Sequence, residues 1–187
     1  MKKEVFIMSG PSWVGKTTVW DAITSSFDMN FEKIITTTTR KPRVGENSWI
    51  HYYFADQKDF FELIESNELI EYAFVHWNYY WSTYTELKRI INNQKIPLYI
   101  IDLQWAIQLK KILNKDYDVT TVFLMPPSEQ ELVNRLQKRW TEQESVVQKR
   151  LKESLKQMEY SNMYDCIIVN DNLENTIEEF KKIINTK

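Results

Sequence analysis

The sequence predicts an α/β fold in which helices cover a central parallel sheet. Four short apolar runs, at residues 5–8, 98–101, 119–125 and 166–169, are typical of strands that are buried on both faces. Helical patterns separate these runs, and this alternation is typical of consecutive β-α-β units. With 187 residues, of which 43% are hydrophobic, the chain can form one domain with a substantial core.

The chain up to residue 113 contains three predicted helices and a β-rich insert. Residues 17–25 form a helix directly after a glycine-containing loop. Thr83-x-x-Glu86 is a capping box at the start of a helix over 83–93, and residues 102–113 form the next helix. Residues 34–82 are rich in Thr, Tyr and Phe and predict an insert of strands with one short helix near 58–66.

The second half adds three helices. Ser128-x-x-Glu131 and Thr141-x-x-Glu144 are capping boxes that start two of them after Pro126-Pro127. The final helix begins near Leu173. Its apolar period places four residues on the core side, namely Leu173, Ile177, Phe180 and Ile184.

Composition and charge exclude several classes of protein. A net charge of -2 argues against a bulk attraction to nucleic acid or to anionic lipid, and no apolar run has the length of a membrane span. Lys2 and Lys3 precede only a short apolar run, which predicts a first strand rather than a signal peptide. The single cysteine, Cys166, excludes an internal disulfide and predicts a buried thiol in a reducing cytoplasm.

Residues 10–17, GPSWVGKT, match the phosphate-binding pattern G-x-x-x-x-G-K-[ST] between a predicted strand and a predicted helix. Backbone N–H groups of such a loop contact phosphate oxygens, Lys16 supplies a positive charge, and the Thr17 hydroxyl can ligate Mg²⁺. The candidate ATP-binding residues are Gly10, Pro11, Ser12, Trp13, Val14, Gly15, Lys16, Thr17 and Thr18. The motif alone does not identify the acceptor of the phosphoryl group.

The predicted insert carries polar side chains suited to a second nucleotide. Arg40 and Arg43 can bind its phosphate. A carboxylate such as Glu71 can accept the adjacent N1–H and N2–H₂ donors of guanine, and it would reject adenine, which lacks that donor pair. The candidate residues are Thr36, Arg40, Arg43, Tyr52, Glu71, Tyr80 and Ser82.

Five segments in this order resemble guanylate kinases along nearly the whole chain. They are TTTTRKPRVGENSWIHYYF (36–54), EYAFVHWNYYWS (71–82), IDLQWA (101–106), RLQKRW (135–140) and IVNDN (168–172). The resemblance implies a three-layer phosphate-loop fold with a central parallel sheet and transfer of phosphate from ATP to GMP with Mg²⁺. It implies a core at 1–33, 83–125 and 160–187, a GMP-binding insert at 34–82 and a helical lid at 126–159.

The resemblance also implies roles for residues that the patterns alone do not assign. Arg135, Arg139 and Arg150 match the lid arginines, which with Lys16 and Arg40 form the expected catalytic set. Asn170 matches a residue near the adenine of ATP, and Asp102 is expected on the GMP side. ATP and GMP are the expected partners, without nucleic acid or membrane, and a cytoplasmic monomer or weak homodimer is expected.

Six tryptophans stand where guanylate kinases usually have glycine, in a chain with only three glycines and seven tryptophans. They are Trp13, Trp49, Trp77, Trp81, Trp105 and Trp140. Glycine permits a positive φ or a close backbone approach, which an indole does not. We hypothesise that the codons for these residues encode glycine and that tryptophan results from translation with the wrong genetic code. Some bacteria read UGA as tryptophan, and others read it as glycine.

A different departure concerns Ile100, where the family has an acidic residue, so that Asp102 is the remaining carboxylate at that strand end. Ile100 and the tryptophans leave open an alternative, a catalytically inactive protein-binding module of the same fold. Another nucleoside monophosphate as acceptor is a further alternative. His51 and His76 are expected to be structural.

Overall fold

The computed structural model describes residues 2–25, 30–43, 45–75, 77–138 and 144–186. These residues fall into two compact units, Met1–Phe31 with Leu98–Lys187, and Glu32–Pro97. The strands are β1 (Glu4–Ser9), β2 (Phe31–Lys33), β3 (Thr37–Thr38), β4 (Tyr53–Phe54), β5 (Leu69–Val75), β6 (Asn78–Thr83), β7 (Ile96–Ile100), β8 (Asp118–Met125) and β9 (Cys166–Val169). The helices are α1 (Lys16–Ser25), α2 (Gln57–Glu65), α3 (Tyr84–Asn92), α4 (Leu103–Leu113), α5 (Glu129–Lys138), α6 (Glu144–Met158) and α7 (Leu173–Asn185).

The larger sheet has the strand order β2-β7-β1-β8-β9. β1 pairs in parallel with both β7 and β8, and β8 pairs in parallel with β9. All four predicted strands are therefore confirmed in a central parallel sheet. The short strand β2 at the edge was not predicted, because three residues with one apolar side chain carry no recognisable period.

Burial in this sheet follows the position of each strand. Val5 to Met8 of β1, a central strand, are completely buried. β9 lies at the edge, and its Ile167 and Val169 are 46% and 47% exposed. The prediction of burial on both faces is therefore wrong for β9, and Cys166 is half-buried rather than buried.

The last helix, α7, packs on the sheet with a face slightly different from the predicted one. Phe180 is buried against Phe6 and Phe31, with ring centroids 6.0 and 5.7 Å away. Leu173, however, is 37% exposed, and Thr176 is completely buried in its place. Asn172 caps the helix by accepting from the N–H groups of Glu174 and Asn175, so α7 begins at Leu173 as predicted. Thr176 is the buried residue because its hydroxyl donates to Oδ1 of Asn170.

The second unit contains the β4-β3-β6-β5 sheet, in which β5 and β6 form an antiparallel hairpin. Phe60 of α2 is buried and stacks on Tyr79 of β6 with a centroid distance of 4.1 Å. Both the β-rich insert and its short helix are thus confirmed.

The predicted capping boxes of α3 and α5 form in part. Thr83 and Ser128 accept the backbone N–H groups of Glu86 and Glu131, as predicted. The Glu86 carboxylate instead binds Arg89, Tyr53 and the N–H of Ile35. Thr141 lies outside the described residues.

Within the described ranges, no helix combines the length and the apolar character that crossing a membrane requires.

Candidate functional site

The loop between β1 and α1 has a backbone that two glycines make possible. Gly10 and Gly15 have φ values of +152° and +101°. A Cβ atom at Gly10 would lie 2.5 Å from the carbonyl oxygen of Leu124, and one at Gly15 would lie 2.7 Å from Nδ2 of Asn170. Both positions therefore require glycine, because backbone and a buried amide already fill the space.

Lys16 is the first residue of α1 and lies over the loop that precedes it. Its Nζ donates to the carbonyl oxygens of Gly10 and Pro11, at 2.6 and 3.0 Å. Burial lowers the pKa of Lys16, and the carboxylate of Asp102 partly opposes this effect. The structure thus holds a weakly hydrated cation at the loop, where a phosphate would be strongly attracted.

The other predicted loop residues differ in exposure. Pro11 and Val14 are buried and anchor the loop, whereas Ser12, Thr17 and Thr18 are exposed. The Thr17 and Thr18 hydroxyls therefore lie on the accessible first turn of α1.

Two predicted residues from the second half of the chain brace this loop. Asn170, just after β9, donates from Nδ2 to the carbonyl oxygen of Val14 at 2.7 Å. Arg135 of α5 donates to the same oxygen at 3.2 Å and to the Asn170 carbonyl at 3.1 Å. Of the other lid candidates, Arg139 lies outside the described residues, and the side chain of Arg150 in α6 is not among those described.

The carboxylate candidate on this unit is Asp102, which follows β7. It is exposed at the N-terminus of α4 and forms no side-chain cap bond there. Ile100, at the end of β7, is half-buried. Asp102 is therefore the accessible carboxylate at this strand end and is the one that acts on Lys16.

In the insert, the predicted phosphate-binding residues gather around Arg40. Its guanidinium forms two parallel hydrogen bonds to Glu46, both of 2.9 Å, with both side chains largely buried. Its Cζ also lies 5.4 Å from the ring centroid of Tyr52. The hydrogen bonds to Glu46 and, to a smaller extent, the Tyr80 hydroxyl raise the pKa of Arg40. A bidentate pair of this kind fixes the orientation of the guanidinium.

Glu46 also organises the loop that carries the second arginine. Its Oε2 accepts the backbone N–H of Arg43 at 2.8 Å, and its pKa is lowered chiefly by the hydrogen bond from Arg40. The Arg43 side chain is exposed. Glu46 was not among the site residues predicted from the sequence. Its spacing, three residues after Arg43 in a turn, is the signal that could have found it.

Glu71 and Ser82 lie opposite each other on β5 and β6. The Ser82 hydroxyl donates to Oε1 of Glu71 at 3.0 Å. Burial raises the pKa of Glu71 to about 7, although the hydrogen bonds from Ser82 oppose the shift. Thr36, half-buried, accepts the N–H of Tyr53 through its carbonyl oxygen and lies at the edge of β3 in the same sheet. The described geometry therefore provides a partly buried carboxylate with a neighbouring hydroxyl.

The raised pKa of Glu71 predicts a loss of stability as pH rises. Between the ordinary value near 4.3 and the folded value of about 7, the folded state binds more protons than the unfolded state. The free energy of unfolding contributed by Glu71 should therefore fall by about 3 kcal/mol between pH 5 and pH 8 and level off above that.

Urea unfolding at pH 5 and pH 8 measures this effect against Glu71→Gln, which does not titrate. The advantage of the unsubstituted chain over Glu71→Gln should be larger at pH 5. Glu65→Gln, at an exposed position of α2, is the matched control. An identical pH dependence in both chains would contradict the assignment of the shift to Glu71.

Three of the tryptophans at the usual glycine positions have a left-handed backbone. Trp13, Trp49 and Trp77 have φ values of +62°, +72° and +66°. This conformation costs a non-glycine residue about 1–2 kcal/mol. Trp49 and Trp77 are 74% and 86% exposed, so burial of the indole does not offset that cost. These three positions therefore have the backbone that favours glycine.

The other tryptophans among the described residues lack this feature. Trp81 lies in β6, fully buried against Phe60, and its Nε1 has no partner among the described residues. Trp105 and Trp20 lie within helices, and Trp140 is outside the described residues. A left-handed backbone thus occurs at three of the five described positions.

His51 was expected to be structural, and its Nδ1 accepts the N–H of Asn47. His76 is outside the described residues.

Known proteins resemble this chain along nearly its whole length. A family model described as guanylate kinase matches residues 2–187. The guanylate kinase of Mycoplasmoides gallisepticum is 37% identical over 180 residues, covering 96% of this chain and 91% of that protein. The guanylate kinase of Bacillus subtilis is 35% identical over 180 residues, covering 96% and 87%.

The same relationship holds in three dimensions. A crystal structure of guanylate kinase from Anaplasma phagocytophilum matches with a TM-score of 0.72 at 28% identity, covering 99% of this chain and 86% of that one. This chain belongs to the guanylate kinase family.

Proposed function

We propose that this chain is a nucleoside monophosphate kinase that transfers the γ-phosphoryl group of ATP to GMP, giving ADP and GDP. The observation that carries the choice of acceptor is the Glu71–Ser82 pair on β5 and β6. Guanine stabilises the ionised form of the Glu71 carboxylate, which accepts two hydrogen bonds from the guanine edge, and Ser82 fixes its orientation. Because adenine would leave this carboxylate unpaired, the pair favours guanine.

The phosphate groups are bound by two sets of residues. ATP takes the loop at 10–18, where backbone N–H groups and Lys16 contact its phosphates. GMP takes the insert, where Arg40, Arg43 and the hydroxyls of Tyr52 and Tyr80 contact its phosphate. The acceptor is already an anionic oxygen, so the reaction needs alignment and charge neutralisation rather than a general base.

Mg²⁺ fits the oxygen donors on the ATP side. The Thr17 hydroxyl, exposed on the first turn of α1, is the kind of ligand that Mg²⁺ prefers, and we assign it this role. When bound with ATP, the ion neutralises charge on the phosphate oxygens. We assign Asp102 to the positioning of GMP. Arg135, Arg139 and Arg150 are assigned to charge neutralisation in a lid at 126–159.

We assign the rest of the chain accordingly, with a core at 1–33, 83–125 and 160–187 and a GMP-binding insert at 34–82. The activity is placed in the cytoplasm.

A coupled ADP-release assay with GMP, AMP, CMP and UMP tests the assignment. It is run on the chain as its sequence reads and on a chain with glycine at the six tryptophan positions, called the six-glycine chain. GMP should be the best acceptor, and Glu71→Gln should lower kcat/KM for GMP by about tenfold or more. Equal activity with AMP would refute the assignment to guanine.

The alternative function is a catalytically inactive module that binds a protein partner. Two observations favour it, the indole of Trp13 within the phosphate loop and the apolar Ile100 at the end of β7. This alternative requires that neither chain binds ATP or turns over GMP.

A further inference from the structure

Thr176 is a buried hydroxyl that belongs to none of the residue sets above. It lies in the first turn of α7 with 0% of its surface exposed. Its Oγ1 lies 2.9 Å from Oδ1 of Asn170 and 2.9 Å from the carbonyl oxygen of Asn172. The Asn172 carbonyl already accepts the backbone N–H of Thr176 at 3.0 Å. The Thr176 hydroxyl therefore donates its hydrogen to Oδ1 of Asn170.

The orientation of the Asn170 amide follows from its other neighbour. Nδ2 lies 2.7 Å from the carbonyl oxygen of Val14, which can only accept a hydrogen bond. The amide NH₂ must face Val14, and the amide oxygen must face Thr176. A donor at position 176 thus stabilises the one amide orientation in which Asn170 donates to the phosphate loop.

The Val14 carbonyl has a second donor in Arg135, at 3.2 Å. In a planar trans peptide, this carbonyl and the N–H of Gly15 point in opposite directions. Fixing the carbonyl of Val14 therefore also fixes the direction of the Gly15 N–H. Loops of this kind contact phosphate through such backbone N–H groups.

We propose that Thr176 is a positioning residue for ATP, whose hydroxyl holds the Asn170 amide and, through it, the Val14–Gly15 peptide. The inference rests on the proposed function, because it adds a residue to the ATP side of that site. Its consequence is specific, since removing the hydroxyl should weaken ATP binding without changing the GMP-binding residues of the insert, which belong to the other unit.

Three substitutions at this position separate the hydroxyl from the shape of the side chain. Thr176→Val keeps the shape and removes the hydroxyl, Thr176→Ala removes it without placing a methyl group against the amide, and Thr176→Ser keeps it. Thr186→Val, at the C-cap of the same helix, is the matched control. The Thr186 hydroxyl is exposed and bonds the carbonyls of Lys182 and Ile183.

The Kd for ATP, both KM values, kcat and the urea midpoint are measured in the original or six-glycine chain, whichever binds ATP more tightly. The valine and alanine variants should raise the Kd and KM for ATP roughly fivefold to tenfold, as one lost hydrogen bond does, with the KM for GMP unchanged. The serine variant and the Thr186→Val control should match the unsubstituted chain.

Unchanged ATP affinity in both the valine and alanine variants overturns the proposal, whatever their stability, and so does an equal loss in the serine variant. The alanine variant decides the matter if the valine variant does not fold. Because ATP binding is measured without turnover, a chain that binds ATP but does not phosphorylate GMP refutes the proposed function and leaves this test valid.

Discussion

The chain as its sequence reads is expected to phosphorylate GMP at least about a hundredfold more slowly than the six-glycine chain, because small displacements at a reacting centre have effects of this size. Trp13 carries the largest part of the effect. Its φ of +62° is strained for a tryptophan, and it belongs to the loop whose N–H groups must reach a phosphate. The coupled assay with GMP measures the difference directly.

Further variants separate backbone conformation from side-chain bulk. Glycine at Trp13, Trp49 and Trp77 alone should recover most of the activity, since these three have a positive φ. Trp20→Gly is the matched control. Trp20 lies in the interior of α1, where glycine should cost about 1 kcal/mol of stability and restore no activity.

Trp81 shows through stability whether tryptophan is authentic at its position, because it is fully buried against Phe60. If tryptophan is authentic there, Trp81→Gly should cost about 3–5 kcal/mol in the free energy of unfolding, as removal of a buried aromatic ring does. If glycine is the natural residue, the six-glycine chain should fold at least as stably as the variant with glycine only at Trp13, Trp49 and Trp77. Urea unfolding of the two chains compares these outcomes.

Equal turnover by the original and six-glycine chains would show that the steric argument is wrong. The intact mass of the protein from its natural host gives an independent answer, since each glycine lowers the mass by the difference between the two residues. A mass that matches seven tryptophans ends the genetic-code hypothesis. Absence of turnover in that authentic protein would then favour the binding module.

The parts of the fold that could be predicted from the sequence are those with local signals. The strands β1, β7 and β8 follow from apolar runs, and α3 and α5 from their capping residues. The face of α7 could not be predicted at its first turn. Thr176 replaces Leu173 as the buried residue because its hydroxyl bonds Asn170, a contact set by tertiary structure.

The candidate site shows the same division. The phosphate loop was predictable because all of its residues are contiguous in the sequence. The partner of Arg40 was missed, because the position of Glu46 after Arg43 signals a turn but does not show that its carboxylate reaches the Arg40 guanidinium. The positive φ of Trp49 and Trp77 has no sequence signal of its own, and only the resemblance to a family with glycines indicated it.

Lys16→Met is expected to lower kcat about a thousandfold while leaving the free energy of unfolding unchanged or higher. The loss of rate follows because Lys16 is the cation of the phosphate loop, and its charge is weakly screened by water. The effect on stability follows from its lowered pKa. The unfolded state binds the Lys16 proton more tightly than the folded state, so keeping Lys16 charged opposes folding at neutral pH.

The coupled assay and urea unfolding of the same samples measure these two effects separately. Substitution of a merely structural lysine would lower the free energy of unfolding as well as kcat. Lys2→Met is the matched control, since Lys2 is exposed and donates to the carbonyls of Asn114 and Lys115 far from the loop. Its kcat should not change. Loss of activity in Lys16→Met together with an equivalent loss of stability would instead mean that the bonds from Lys16 to Gly10 and Pro11 hold the loop together, because a lysine needed only for phosphate would leave folding intact.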